Sequence, residues 1–352
     1  MTRHRTSGRS EWRIRLTLFL LSAFLCVVFA EVGARTFWCL RFEVPFRNPG
    51  RILYAFYPEL RRVDAKLLAH GDTFYDILFL GGSVLNRNFG EVPKALRKQL
   101  ANNGHQNVRV FNFAMPAQTS RDSLLKYAAL GDARFELVLF YHGINEARAN
   151  NAPPEIFRND YAHYSWYEIV NTLAPYHGTA SFALPYTLRF IAIKIRQVLR
   201  KDHYVSAHVP RNDWIQFGRD PRSAVPFEAN LGVILDLAER RDDRLLLMTF
   251  ALDVPENYSL EAFREKRLDY DRHISPIEIW GAREHVQQTV AVHNEIVGRL
   301  AAEHEDVLFV DQAILMPGGR RYFNDSCHLT AIGSSKFVEH LLSALPPGLQ
   351  SD

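Results

Sequence analysis

Three cysteines in 352 residues, Cys26, Cys39 and Cys327, are too few for a disulfide framework, and no CxxC or His/Cys spacing points to zinc. Cys26 lies in an apolar run, and Cys39 meets Cys327 only if the chain near that run folds back, so two unpaired thiols are the expectation. Neither a GxxxxGKS/T loop nor a GxGxxG fingerprint is present, which removes the physical basis for a kinase, nucleotide-binding or dehydrogenase reading. Internal repeats and low-complexity tracts are absent. The body also lacks a basic surplus. Of the formal charge of +3, residues 1–15 supply five arginines against Glu11, and beyond them acidic residues narrowly outnumber basic ones. A nucleic-acid partner therefore loses its main electrostatic support.

What the chain has in quantity is apolar residues, 47% of the total with 12% aromatic, enough for a substantial core. One run stands apart. Leu16 to Ala30 contains only Thr17 and Ser22 as polar residues. With Ile14 before it and Val32 to Ala34 beyond Glu31, it approaches the roughly 20 residues that span a bilayer. The flanking arginines put the N-terminus in the cytoplasm by the positive-inside rule, with Trp38 and Phe42 at the outer interface. Val28-Phe29-Ala30 is also an acceptable cleavage pattern, so a signal peptide is the competing reading, although the long basic segment favours an uncleaved anchor. The expected organisation is a cytoplasmic basic segment (1–15), a transmembrane anchor or signal peptide (16–38), a linker (39–70) with a short helix near Tyr57–Leu68, and an exported body (71–348).

In the body, five short apolar runs read as strands buried on both faces: Asp76–Leu80, Val108–Phe113, Leu137–Tyr141, Arg244–Thr249 and Val307–Val310. Helical patterns alternate with them at Val92–Asn102, Ser120–Leu130, Phe227–Arg240 and Val286–Glu303, and a last helix runs from Ala331 to Leu345. This alternation predicts an α/β fold, a three-layer α/β/α sandwich around a five-stranded parallel sheet of flavodoxin-like type. It breaks between about 150 and 226. That insertion holds Ala152-Pro153-Pro154, aromatics including Tyr161, Tyr164, Trp166, Tyr167, Tyr176, Phe182 and Tyr186, and a basic amphipathic segment, Leu184–Lys201. The segment is read as a helix packed on the domain, with membrane contact as the alternative.

Four polar blocks fall at or after these strands. Gly81-Gly82-Ser83 follows the first, on a strand-to-helix turn where glycines leave room at the backbone. Asn112-Phe113-Ala114-Met115-Pro116-Ala117-Gln118-Thr119 follows the second and Gly143-Ile144-Asn145-Glu146 the third. Asp325-Ser326-Cys327-His328 comes last, putting a carboxylate and an imidazole on one loop. Singly, each has a bland reading: Ser83 as a helix cap, Asn145 and Asp325 as turn residues, His328 as an interior histidine. In order, and at strand ends, they supply a nucleophile, a base and an orienting carboxylate.

With these four blocks the sequence resembles the SGNH hydrolases, the GDSL-like esterases, in their membrane-anchored bacterial form, from about residue 75 to 345. Gly82 stands where the family usually has aspartate, Ala117 where it has glycine, and Glu146 where it has aspartate. The resemblance implies a catalytic Ser83–His328–Asp325 triad. Its oxyanion hole would be made by the amides of Ser83 and Ala117 and the side chain of Asn145. An amide survives the change from glycine to alanine where φ stays negative. No metal and no organic cofactor is implied. The function this suggests is an exported serine esterase, periplasmic or extracellular, with an ester-bearing substrate. O-acyl groups on a surface or cell-wall carbohydrate fit the location, and the insertion's aromatics offer rings to stack on sugars. The alternatives are an O-acyltransferase using the same residues on a polysaccharide and a non-catalytic surface protein that keeps the fold.

Overall fold

The computed structural model describes residues 7–67, 74–105, 107–205 and 211–345. Arg3, Arg5, Leu68 and the outermost residues of the expected body lie outside them. Two compact units are present, Met1–Pro58 with Thr172–Leu199, and Glu59–Asn171 with Arg200–Asp352. The insertion read at 150–226 is thus shared between them.

In the first unit one helix runs unbroken from Ser7 to Phe42. Its stretch Glu11–Phe42 is long and apolar enough to cross a membrane, with a mean hydropathy of 2.3 over the most apolar window, none of it buried. A second helix, Leu184–Leu199, packs on its C-terminal part. Glu31 accepts from the amides of Ala183 and Leu184, both at 2.8 Å, which satisfies donors that the start of a helix leaves without partners. Trp38 Nε1 donates to Thr187 Oγ1 at 2.8 Å, and its ring meets Tyr186 and Phe190. Trp38 was expected at a membrane interface. It is buried instead, because the second helix covers it.

The second unit is built on five parallel strands: β1 (Tyr75–Gly81), β2 (Val108–Asn112), β3 (Leu137–Tyr141), β4 (Leu245–Met248) and β5 (Leu308–Val310), in the order β2-β1-β3-β4-β5. The α/β fold with a five-stranded parallel sheet flanked by helices agrees with the sequence reading. β1 and β3 are apolar almost throughout because both faces are covered. On one face Ile77 and Phe79 share a core with Leu96, Leu100, Phe337 and Leu341, from helices Val92–Asn102 and Ala331–Ser343. On the other, Phe140 packs on Phe227 of helix Ala224–Arg241, which lies against helices Ser120–Ala128 and Arg283–Glu303. The chain leaves β1 toward β2 on one side and returns to β3 on the other. That reversal makes a crevice at the carboxyl ends of β1 and β3, the usual ligand position in open α/β sheets.

The aromatics of the insertion do not form a platform. Tyr161, Tyr164, Tyr167 and Tyr186 are buried, and only Trp166 and Phe182 among those named are exposed. Tyr167 donates to Asp122 at 2.6 Å, so its ring packs inward beside helix Ser120–Ala128. The stacking surface expected from them is absent among the described residues because they fill interiors.

Candidate active site

β1 ends at Gly81, and Ser83 opens a single 3-10 turn, Ser83–Leu85. Its Oγ lies 2.8 Å from His328 Nε2. His328 Nδ1 lies 2.7 Å from Asp325 Oδ2. A carboxylate only accepts, so Nδ1 carries the proton and Nε2 is left to accept from the serine. Asp325 is completely buried and saturated. Oδ1 accepts from the amides of Cys327 (2.9 Å) and His328 (2.8 Å), and Oδ2 also accepts from Ser275 N (2.9 Å). The Asp-x-x-His spacing allows this, since the aspartate's own loop supplies two of its donors. Phe89 stacks on the imidazole with ring centroids 5.0 Å apart.

Asp325, Cys327 and His328 also present possible metal-ligand atoms within 4.8 Å of one another. The carboxylate and Nδ1 are bound to each other, however, and burial, followed by the charge of Asp325, pushes the Cys327 thiol up, keeping it protonated. This donor set does not suit a resident cation.

The donors read as an oxyanion hole come from three neighbouring strand ends. Ser83 N starts its turn, where no intrahelical acceptor exists. Neither it nor Ala117 N donates to a protein acceptor among the described residues. Ala117 has φ of 65°, the left-handed region that disfavours a Cβ. The sequence condition of negative φ therefore fails, yet the amide remains. Arg148 donates to Ala117 O at 2.6 Å and holds the strained peptide. Asn145, one residue into the helix after β3, donates from Nδ2 to Gln118 O at 2.8 Å and accepts on Oδ1 from Trp280 Nε1 at 3.1 Å. These two bonds fix which end of the amide is the donor, and its second N–H remains for a ligand. A Cβ on Gly82 would stand 2.8 Å from Asn145 Nδ2, so the glycine in place of aspartate admits this amide beside the serine.

Beneath the Asn112–Thr119 loop lies a buried polar layer that sequence reasoning missed. Lys126, fully buried, donates to Phe113 O and to Gln118 Oε1 (2.5 Å) and pairs with Glu59 at 3.2 Å. Burial pulls its ammonium down, against the pull of Glu59 and Asp122. His142, pushed down to about 3 by burial and then by Lys126, is neutral and shares a hydrogen bond with Ser123 Oγ at 2.7 Å. Glu146 accepts from Ser120 N at 2.5 Å, and burial pushes it up to about 7. The sequence held one signal for this layer, a lone lysine between Leu124-Leu125 and Tyr127 on a helix. Trp280, Phe89, Ser275 and Arg148 belong to no motif and had none.

The structure thus brings together Ser83, His328, Asp325, Ala117 and Asn145, every one of the site residues read from the sequence. No protein-family model matches the chain, and no curated protein does. Solved structures do. A GDSL-like lipase from Bacteroides thetaiotaomicron is 13% identical, with 82% of this chain and 97% of that one covered at a TM-score of 0.41. A lipase/acylhydrolase from Enterococcus faecalis is 15% identical, covering 78% and 98% at 0.40. A variant of an acetyl xylan esterase from Geobacillus stearothermophilus is 16% identical, covering 77% and 94% at 0.38. The first of the three carries the name GDSL-like, the kind of protein that the four motifs resemble.

Proposed function

We propose that this chain is an ester hydrolase of the SGNH type, working through Ser83, His328 and Asp325. The observation that carries the proposal is the continuous relay from Ser83 Oγ to His328 (2.8 Å) to Asp325 (2.7 Å), beside two backbone amides without protein acceptors. His328 Nε2 takes the proton of Ser83 as Oγ attacks the ester carbonyl. The oxyanion is received by the amides of Ser83 and Ala117 and by Asn145 Nδ2. Collapse of the tetrahedral species breaks the acyl–oxygen bond, and His328 returns the proton to the leaving alcohol. A water, deprotonated by His328, then attacks the acyl-serine and releases the acid, restoring Ser83. Asp325 holds the tautomer and faces the imidazolium formed in each half.

The apolar helix Glu11–Phe42 supports an export or membrane-anchor role, with the second unit periplasmic or extracellular. An O-acylated carbohydrate outside the cell is the substrate class proposed with that location. Acyl transfer to a hydroxyl is a second reading, favoured by the small exposure of Ser83, 7%, which restricts water.

The test is p-nitrophenyl acetate hydrolysis by the full chain in detergent, beside Ser83→Ala. Turnover that falls by several orders of magnitude in the variant, with acetate found on Ser83 by mass spectrometry, supports the reading. A folded protein with neither turnover nor an acylated serine overturns it.

A further inference from the structure

Helix Leu184–Leu199 packs with one side only. Tyr186, Thr187 and Ile193 are buried, and Phe190 meets the rings of Phe37, Trp38 and Phe42 on helix Ser7–Phe42. Its large aliphatic residues are elsewhere. Leu188, Ile191, Ile195, Val198 and Leu199 follow the spacing i, i+3, i+7, i+10, i+11, which sets them in one row along a helix. All five are between 47% and 78% exposed. The sequence reading expects this helix to pack on the domain; the structure packs its aromatic side on helix Ser7–Phe42 and leaves the aliphatic row outward. A solvated row of this size marks a surface that meets something apolar.

Charge and place say what that is. The helix carries Arg189, Lys194 and Arg196, all exposed, and neither aspartate nor glutamate. By the turn of an α-helix, Lys194 falls on one flank of the row and Arg189 and Arg196 on the other. An aliphatic centre with cationic edges suits an anionic lipid surface, with the row among acyl chains and the cations at the headgroups. The helix is also fastened to the right neighbour. Its first turn is held by Glu31 and its Phe190 reaches Phe42, so it lies on the C-terminal part of Glu11–Phe42, the stretch long and apolar enough to cross a membrane. A second copy of the chain fits worse. Two such helices laid row to row would bring their cationic edges together, with no carboxylate on either helix to pair them.

We infer that the outward row of helix Leu184–Leu199 is a docking surface for an anionic lipid bilayer. Leu188, Ile191, Ile195, Val198 and Leu199 enter the acyl-chain boundary, and Arg189, Lys194 and Arg196 meet lipid phosphates. The inference rests on the anchor reading for which membrane is met, and goes beyond it. Where helix Ser7–Phe42 tethers the chain, this second contact seats the helix pair on the bilayer and makes that seating depend on lipid charge.

The test places an environment-sensitive fluorophore on Ile195→Cys in the full chain, with Cys26→Ser and Cys39→Ser as background, in vesicles of equal parts phosphatidylglycerol and phosphatidylcholine. Glu239→Cys, at an exposed position of the second unit, is the aqueous control. Nitroxide-bearing lipids are expected to quench the Ile195 probe about threefold more than the control, and iodide about threefold less. Arg189→Gln/Lys194→Gln/Arg196→Gln should lower the ratio of lipid to iodide quenching about twofold in these vesicles and leave it unchanged in pure phosphatidylcholine. Iodide quenching equal to the control overturns the proposal. Shielding from both quenchers overturns it too, since a protein then covers the row, and a ratio unmoved in the charge variant overturns the anionic assignment. A probe on Phe24→Cys reads helix Ser7–Phe42 separately. Water at Phe24 with lipid at Ile195 sinks the anchor reading alone; lipid at Phe24 with water at Ile195 sinks this inference alone.

Discussion

The two ends of the sheet invite comparison. At the carboxyl ends, Ser83, Ala117 and Asn145 follow three adjacent strands, and four arginines face two carboxylates in the cavity beside them. At the amino ends, beside Tyr75, Leu245 and Leu308, a larger cavity of about 1100 Å³ holds seven carboxylates against Arg244. Six of the seven carboxylates of the larger cavity are exposed, Asp243 alone being buried, whereas the smaller cavity adjoins groups that are buried and paired. Size and charge density alone would choose the end away from the proposed site. Held side chains occur at both ends, Asn145 by Trp280 and Asp325 by Ser275 at one, Asp243 by Tyr127 and Phe135 at the other; what separates the ends is the run from hydroxyl through imidazole to carboxylate at the carboxyl end.

If that difference is functional, substitutions at the two ends must differ in their effect on turnover. The largest effect after loss of the serine is expected from Asn145→Ala. Removing one oxyanion donor costs about 10²–10³ in kcat, with KM little changed in steady-state kinetics. Glu146 is next, through stability. Its folded value of about 7 lies above the ordinary 4.5, so the native state binds the extra proton between those values. Its contribution is full below about pH 4.5 and is lost as pH rises through about 7, a change of up to about 3 kcal/mol. Glu146→Gln keeps an acceptor for Ser120 N and should flatten the melting temperature between pH 4.5 and 7; an unchanged slope would sink the assignment.

Trp280→Phe removes a single hydrogen bond to Asn145 Oδ1. A fall of about 2- to 10-fold in kcat, without a shift in KM, would mark a positioning role. Ala117→Gly should relieve the left-handed strain and raise stability by up to about 1 kcal/mol in thermal unfolding, at unchanged kcat, because the amide is retained. Smallest of all, Glu239→Gln with Glu305→Gln at the amino end should leave kcat/KM within about twofold; a larger change would erase the contrast between the ends.

The sheet was legible because its strands are apolar runs closed by glycine and turn residues. Leu137–Tyr141 was read with its observed bounds, since both of its faces are buried. β5 is shorter than its apolar run, and Phe309 on it is 39% exposed, as at an edge. The four motifs were legible because each depends on residues close in sequence. What holds them was not. Trp280 reaches Asn145 across 135 positions, and no local pattern encodes such a meeting. The same limit applies to Ala117, where the residue type is visible in the sequence and its dihedral is not. It applies again to the insertion's tyrosines, whose composition suited a surface as well as an interior.

The depth of Ser83 has a consequence in time. Its side chain, His328 and Asp325 are 7%, 2% and 0% exposed, so few waters can stand beside an acyl-serine formed there. On the proposed mechanism, attack by water would then be the slow half of the cycle, and the acyl-enzyme would persist between turnovers. A persistent intermediate lets any hydroxyl seated next to it compete with water. The ratio of ester product to free acid would therefore follow the occupancy of the neighbouring cavity more closely than the identity of the three residues that form the intermediate.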